Sequence, residues 1–224
     1  VQVSTSPSSA LLGLSERRPL ASGRGALVVG HSRGEQLPGT LEEARTVARL
    51  LDSRAYLERE ATRSVVLSEG PNRDVLHLAA HGEARLDNPL FAHISLADGQ
   101  LSMVDIFRMR LDGALVTLSA CETGRSAIVG GDELVGLTRG FLFAGAATLV
   151  QSLWRVDDES TAHLMHRFYS GLKAGLAPGA ALRGAQCALL AQGAHPYLWG
   201  AFQLVGRDGP AGRLVRSNDG QEKE

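Results

Sequence analysis

The chain has 224 residues, 44% of them hydrophobic, enough to bury the core of one large domain or two small ones. Its 23 Lys and Arg nearly balance 24 Asp and Glu, leaving a net charge of −1, which speaks against a dedicated nucleic-acid binder and against a polybasic membrane-surface module. No apolar run approaches the roughly 18 residues that cross a bilayer; the best, Phe141–Val150, stops at Gln151.

The N-terminal VQVSTSPSSALLGL has no initiator Met and no basic segment leading into a long apolar one, so it reads as a fragment or a processed chain and not as a signal peptide. Residues 1–24 are expected to form a lead-in segment with room for one edge strand at Val1–Ser4. Residues 25–206 hold the patterned domain, and 207–224 read as a flexible polar tail. The two cysteines, Cys121 and Cys187, are no disulfide framework and fit a reducing, cytoplasmic compartment.

In chain order, Ala26–Gly30 (ALVVG) is a buried strand. Apolar residues at Leu41, Ala44, Val47, Ala48 and Leu51 predict a helix, entered through a capping box of Thr40 and Glu43. A brief strand is expected at Tyr56–Leu57, a helix over Ala61–Leu67 and a strand at Val75–Ala80 (VLHLAA). Ile94–Leu96, Asp98-Gly99 and Leu101 read as a hairpin. A short helix follows over Ser102–Met109, then a strand at Ala114–Ser119 (ALVTLS). Further helices are predicted at Asp132–Ala144, Asp158–Leu172 and Ala180–Leu190, with strands at Ala147–Leu153 and Ala201–Val205. Strands apolar on both faces, separated by helices, define an α/β domain: a mostly parallel central sheet with helices on both faces.

Such sheets place their ligand sites at the carboxyl ends of strands. VLHLAA runs into His81-Gly82, and ALVTLS runs into Ala120-Cys121-Glu122-Thr123-Gly124. If the two strands pair, His81 and Cys121 emerge at one edge. An imidazole beside a thiol makes the sulfur nucleophilic, and the oxyanion formed on attack needs oriented donors. The N–H groups of Gly82 and Cys121 are the candidates. Gly124, Gly130 and Gly131 keep bulk away from the nucleophile. Free cysteines and strand-end histidines are often mere core residues; it is their joint placement that favours chemistry. Cys187, in an Ala-rich helix, reads as packing.

The remaining candidates have competing readings. His77 and His81 stand roughly 13 Å apart along a strand, so HxxxH here does not read as a metal site, and His77 is expected to be either a core residue or one that supports the site from behind. Asp157 and Asp158 either cap the next helix or wall the cleft and select Arg or Lys. Trp154 is a cleft aromatic or packing, and Gln151 and Ser152 are placed to contact a peptide backbone. Asp87 and Asn88 either orient His81 or, with Pro89, form a turn.

Taken together, HLAAHG, DNPL, LADGQLS, LSACETG, GDELVGLTRGFLFAGA, LVQSLWRVDD and HPYLWGAFQLVG resemble the CHAT domain, a family of caspase-like cysteine peptidases related to separases, in the clan of caspases and gingipains. The resemblance runs from about Val3 to Gly206. It implies a caspase-like three-layer sandwich, with His81 as base, Cys121 as nucleophile and Gly82 in the oxyanion hole. It also implies no cofactor, a specific protein substrate, regulatory or repeat domains N-terminal to this one, and a role in bacterial immunity or cell death. The expected function is therefore a cysteine endopeptidase that contacts neither nucleic acid nor membrane. The alternative is a catalytically silent module whose cleft only binds a partner.

Overall fold

The computed structural model describes residues 3–16, 23–34, 39–83, 89–119, 135–154 and 156–209. Helix α1 (Ser9–Glu16) precedes β1 (Ala26–His31). Helix α2 (Gly39–Leu50) turns Ala44, Val47 and Ala48 inward at helical spacing and leads to the short β2 (Ala55–Leu57). Helix α3 (Arg63–Glu69) starts at Thr62, whose hydroxyl accepts from the Val65 N–H, so the predicted helix begins two residues later than its first apolar residue. Strand β3 (Val75–Ala80) is buried along its whole length.

The two-residue β4 (Gly82–Glu83) joins a hairpin of β5 (His93–Leu96) and β6 (Gly99–Ser102). Leu96 pairs with Gly99, so the turn is Ala97-Asp98, one residue earlier than Asp98-Gly99. The Asp98 side chain is committed elsewhere, since its carboxylate accepts from the N–H groups of Arg63 and Ser64 at the start of α3. Helix α4 (Met103–Arg108) opens with a full capping box between Ser102 and Asp105. Then come β7 (Leu115–Leu118), α5 (Val135–Ala144), β8 (Thr148–Ser152), α6 (Asp158–Lys173), α7 (Pro178–Ala191), α8 (Pro196–Trp199) and β9 (Phe202–Gly206).

The main sheet has the order β2-β1-β3-β7-β8-β9, and a second sheet the order β4-β5-β6. The first five strands of the main sheet run parallel, while β9 closes the edge antiparallel to β8. Alternate residues of each strand enter opposite cores. Leu27, Leu76, Leu78 and Val116 pack with Met103, Ile106 and Phe141 of α4 and α5. Val28, Val75 and Val150 pack with Val47 of α2, Phe168 of α6 and Leu189 of α7. Helices therefore cover both faces, and each large side chain taken fully from water contributes roughly 1.5–3 kcal/mol. This is the three-layer α/β architecture that the alternating pattern requires.

Two contacts fix the amino edge of the sheet. There Asp74 is fully buried and accepts from the Arg24 backbone N–H (2.7 Å) and from its Nε (3.0 Å). On the same edge antiparallel β9 ends at Gly206, which has φ +93° and lies so close to β8 that a Cβ would meet the Ala147 carbonyl oxygen at 2.5 Å.

Candidate active site

Parallel strands deliver their carboxyl ends to one edge of the sheet, so the residues just beyond β1, β3, β7 and β8 face a common region. His81 follows β3 and is only 5% exposed. Its carbonyl accepts from the Ser95 N–H at 2.8 Å, and Gly82 pairs with Ile94. The chain thus leaves the main sheet at His81 and enters the second one. That junction holds the backbone on both sides of the imidazole.

Ser119 follows β7. Its N–H donates to the Leu78 carbonyl at 3.3 Å, and its hydroxyl is enclosed with no hydrogen-bond partner among the described residues. Positions 78 and 118 are register partners, so β3 and β7 do pair and run side by side toward this edge. Cys121, Glu122, Gly124, Gly130, Gly131, Asp132, Asp87 and Asn88 lie outside the described residues.

The residues at the end of β8 and just after it are strongly engaged. Gln151 is buried, and its Oε1 accepts from the Thr138 hydroxyl of α5 at 2.6 Å. Ser152 is buried opposite Phe202 of β9. Trp154 donates from Nε1 to the Tyr197 carbonyl (2.9 Å) and stacks at a tilt on the Tyr197 ring, 5.6 Å between centroids. Asp157 is the N-cap of α6 and accepts from the Ser160 N–H at 3.0 Å. Asp158 accepts from the Gly39 N–H at 2.9 Å and so ties α6 to the start of α2.

Three edge residues were missed by the sequence reading. His31 ends β1, Ser32 follows it, and Glu58 follows β2 with φ +47°. Ser32 is 1% exposed and donates to Glu58 Oε1; His31 Nδ1 is enclosed with no hydrogen-bond partner among the described residues. The signal was present: ALVVG runs into His-Ser as VLHLAA runs into His-Gly. Cys187 corrects an expectation. It is exposed, because the buried face of α7 runs through Ala181, Leu182, Ala185 and Leu189 and leaves position 187 on the far side.

His77 is a core residue with polar partners. Its Nδ1 is 3.1 Å from the Tyr169 hydroxyl, which donates onward to Thr117 Oγ1 at 2.8 Å. Its Nε2 lies 3.2 Å from Glu43 Oε1, close enough for an ion pair but not aligned as a hydrogen bond. Burial pushes the Tyr169 phenol far above its ordinary range, with the Glu43 charge adding to the shift and the Thr117 bond opposing it, so the phenol stays a donor.

The CHAT domain family model matches residues 1–207. The chain belongs to the CHAT domain family. Human tetratricopeptide repeat protein 28 is 28% identical over 212 residues, covering 77% of this chain, and the match spans only 8% of that relative's length. Among solved structures, separase in the Saccharomyces cerevisiae separase–securin complex matches with a TM-score of 0.64 at 15% identity, over 92% of this chain and 14% of that one. The Arg-specific cysteine proteinase gingipain R matches with a TM-score of 0.58 at 8% identity, over 86% of this chain and 47% of that one. At such identities the likeness is one of fold, and the fold of this CHAT domain is the caspase-like one. Among the described residues no helix is long and apolar enough to cross a membrane.

Proposed function

We propose that this CHAT domain is a cysteine endopeptidase in which His81 and Cys121 carry out acyl transfer on a specific protein substrate. The observation that carries the reading is a register. Leu78 of β3 is level with Leu118 of β7, an offset of 40 (118 − 78). Cys121 follows His81 by the same 40 (121 − 81). The equal offsets support reading His81 and Cys121 as a pair at the edge where parallel sheets hold their ligands.

In this reading the Cys121 thiolate attacks the scissile carbonyl, forming a C–S bond as the carbonyl π electrons move to oxygen. The N–H groups of Gly82 and Cys121 bind that oxyanion. His81, carrying the proton taken from the thiol, delivers it to the leaving nitrogen as the C–N bond breaks. Water then adds to the thioester with His81 as base, and the thiolate departs with the acid product released. The chemistry requires neither metal nor organic cofactor. Asp157 and Asp158 enter as residues that build the entry to α6, since both carboxylates already serve backbone N–H groups.

Membership of the CHAT family and the separase and gingipain likeness support peptidase chemistry, and the repeat-containing relative supports repeat domains beside this one in the full-length protein. A cytoplasmic location and a part in bacterial defence belong to the same reading. The test is to incubate the full-length protein with proteins encoded beside it, wild type against Cys121→Ala, and to sequence new termini. The reading expects one or a few cuts that vanish in Cys121→Ala; cuts that persist in the variant end it.

A further inference from the structure

Helices α6 and α7 pack side by side, and between them lies a groove of about 420 Å³, within the range of small-molecule sites. It opens on the outer side of the helical layer formed by α2, α6 and α7, and none of its lining residues belongs to the strand-end site. One wall is a single face of α6: His163, His166, Arg167 and Ser170, spaced by three and four residues. The opposite wall is small and apolar, supplied by α7 and by Leu176 just before it.

Three features give the groove a chemical preference. Its lining contains three groups able to carry positive charge and no carboxylate. Neither histidine nor Arg167 takes part in an ion pair among the described residues, although this protein pairs many of its other arginines, such as Arg24, Arg54 and Arg63. And Arg167 Nε is enclosed with no hydrogen-bond partner among the described residues, an arrangement that ordinarily costs a protein stability. Since the guanidinium makes no hydrogen bond or ion pair among the described residues, its terminal N–H groups are left to an anion placed against this wall. A planar guanidinium fork matches a phosphoryl group, and imidazoles and a hydroxyl add the further donors a dianion needs.

The apolar wall limits the ligand's other end. Gly184 leaves open space, since a Cβ built there meets nothing within 4 Å, and Leu176 is 45% exposed. A flat or short apolar body fits over these residues once the charged end is held.

We propose that the α6–α7 groove binds an organic phosphate, with the phosphoryl group held by Arg167, His166 and Ser170 and the apolar body lying over Leu176 and Gly184. The site is separate from the peptidase reading and does not depend on it.

The probes are phenyl phosphate, inorganic phosphate, phenol and a short phosphotyrosine peptide, each titrated into the protein by calorimetry. Phenyl phosphate is expected to bind saturably and at least about tenfold more tightly than inorganic phosphate or phenol, about 1.4 kcal/mol. Comparable affinity for the phosphotyrosine peptide would place the phosphate on a protein partner; exclusion of the peptide would place it on a free metabolite. Arg167→Gln and Gly184→Leu should each weaken phenyl phosphate at least about tenfold, with thermal unfolding confirming that each variant is folded. Gly184→Leu fills the open space and replaces a poor helix former with a good one, so it remains informative should Arg167→Gln unfold. Absence of saturable binding, equal binding of phenol, or indifference to both substitutions overturns the proposal.

Discussion

His77 of β3 and Tyr169 of α6 meet at 3.1 Å in a core that solvent does not reach, four residues before His81, which follows that strand. The phenol joins the strand carrying His77 to the neighbouring one carrying Thr117, so one side chain from the helical layer spans β3 and β7. Tyr169→Phe leaves the ring in place but strands His77 and Thr117. It should cost about 1–3 kcal/mol, the penalty for buried polar groups without partners, read as a lowered denaturant midpoint at unchanged slope. A variant as stable as wild type would show that the chain of hydrogen bonds is dispensable.

Asp105 gives a pH signature. The paired guanidinium bonds from Arg63, 2.9 and 2.6 Å, hold its carboxyl well below the usual range, opposed by desolvation and helped by Ser102. A depressed native value means that the contribution is complete above the unfolded pKa of about 4 and is lost as pH falls through the lower folded one. Asp105→Asn should therefore lower Tm by a constant amount above about pH 5, with the gap to wild type closing at more acid pH. A gap independent of pH down to acid unfolding would contradict the assignment.

Gly206 is held at φ +93° with Ala147 oxygen 2.5 Å from where a Cβ would sit. The clash is with backbone, which cannot rotate away. Gly206→Ala should destabilise by at least about 1–3 kcal/mol, and an unchanged Tm would mean that β9 can shift along β8.

The entry to α6 separates capping from charge. Asp157→Ala should cost about 1 kcal/mol, whereas Asp157→Ser keeps an N-cap acceptor and should stay within a few tenths of wild type. Equal losses in thermal denaturation would show that the carboxylate acts by its charge.

Most of the fold was legible because β3 and β7 are apolar on both faces and end at abrupt changes of chemistry, His81-Gly82 and the segment after Ser119. Strand order was not, since parallel pairing is decided by crossover packing that leaves no mark in local periodicity. The turn falls one residue earlier than Asp98-Gly99, and the Asp98 carboxylate serves α3, a contact 35 residues distant in sequence that local turn chemistry does not show. Cys187 was misread because an Ala-rich helix has little polarity to show which face is outward. His31 and Ser32 were overlooked although their strand obeys the rule that found His81, whereas Glu58 follows the short β2, which gives no such signal.

The central claim, that His81 activates Cys121, is tested most directly by the rate at which Cys121 is alkylated, measured against pH in a Cys187→Ser background so that the exposed second thiol does not contribute. The account predicts a reactive thiolate persisting well below the ordinary thiol pKa of about 8.5, with that low-pH reactivity abolished in His81→Asn. A rate that follows an ordinary cysteine and is the same with or without the imidazole would contradict it.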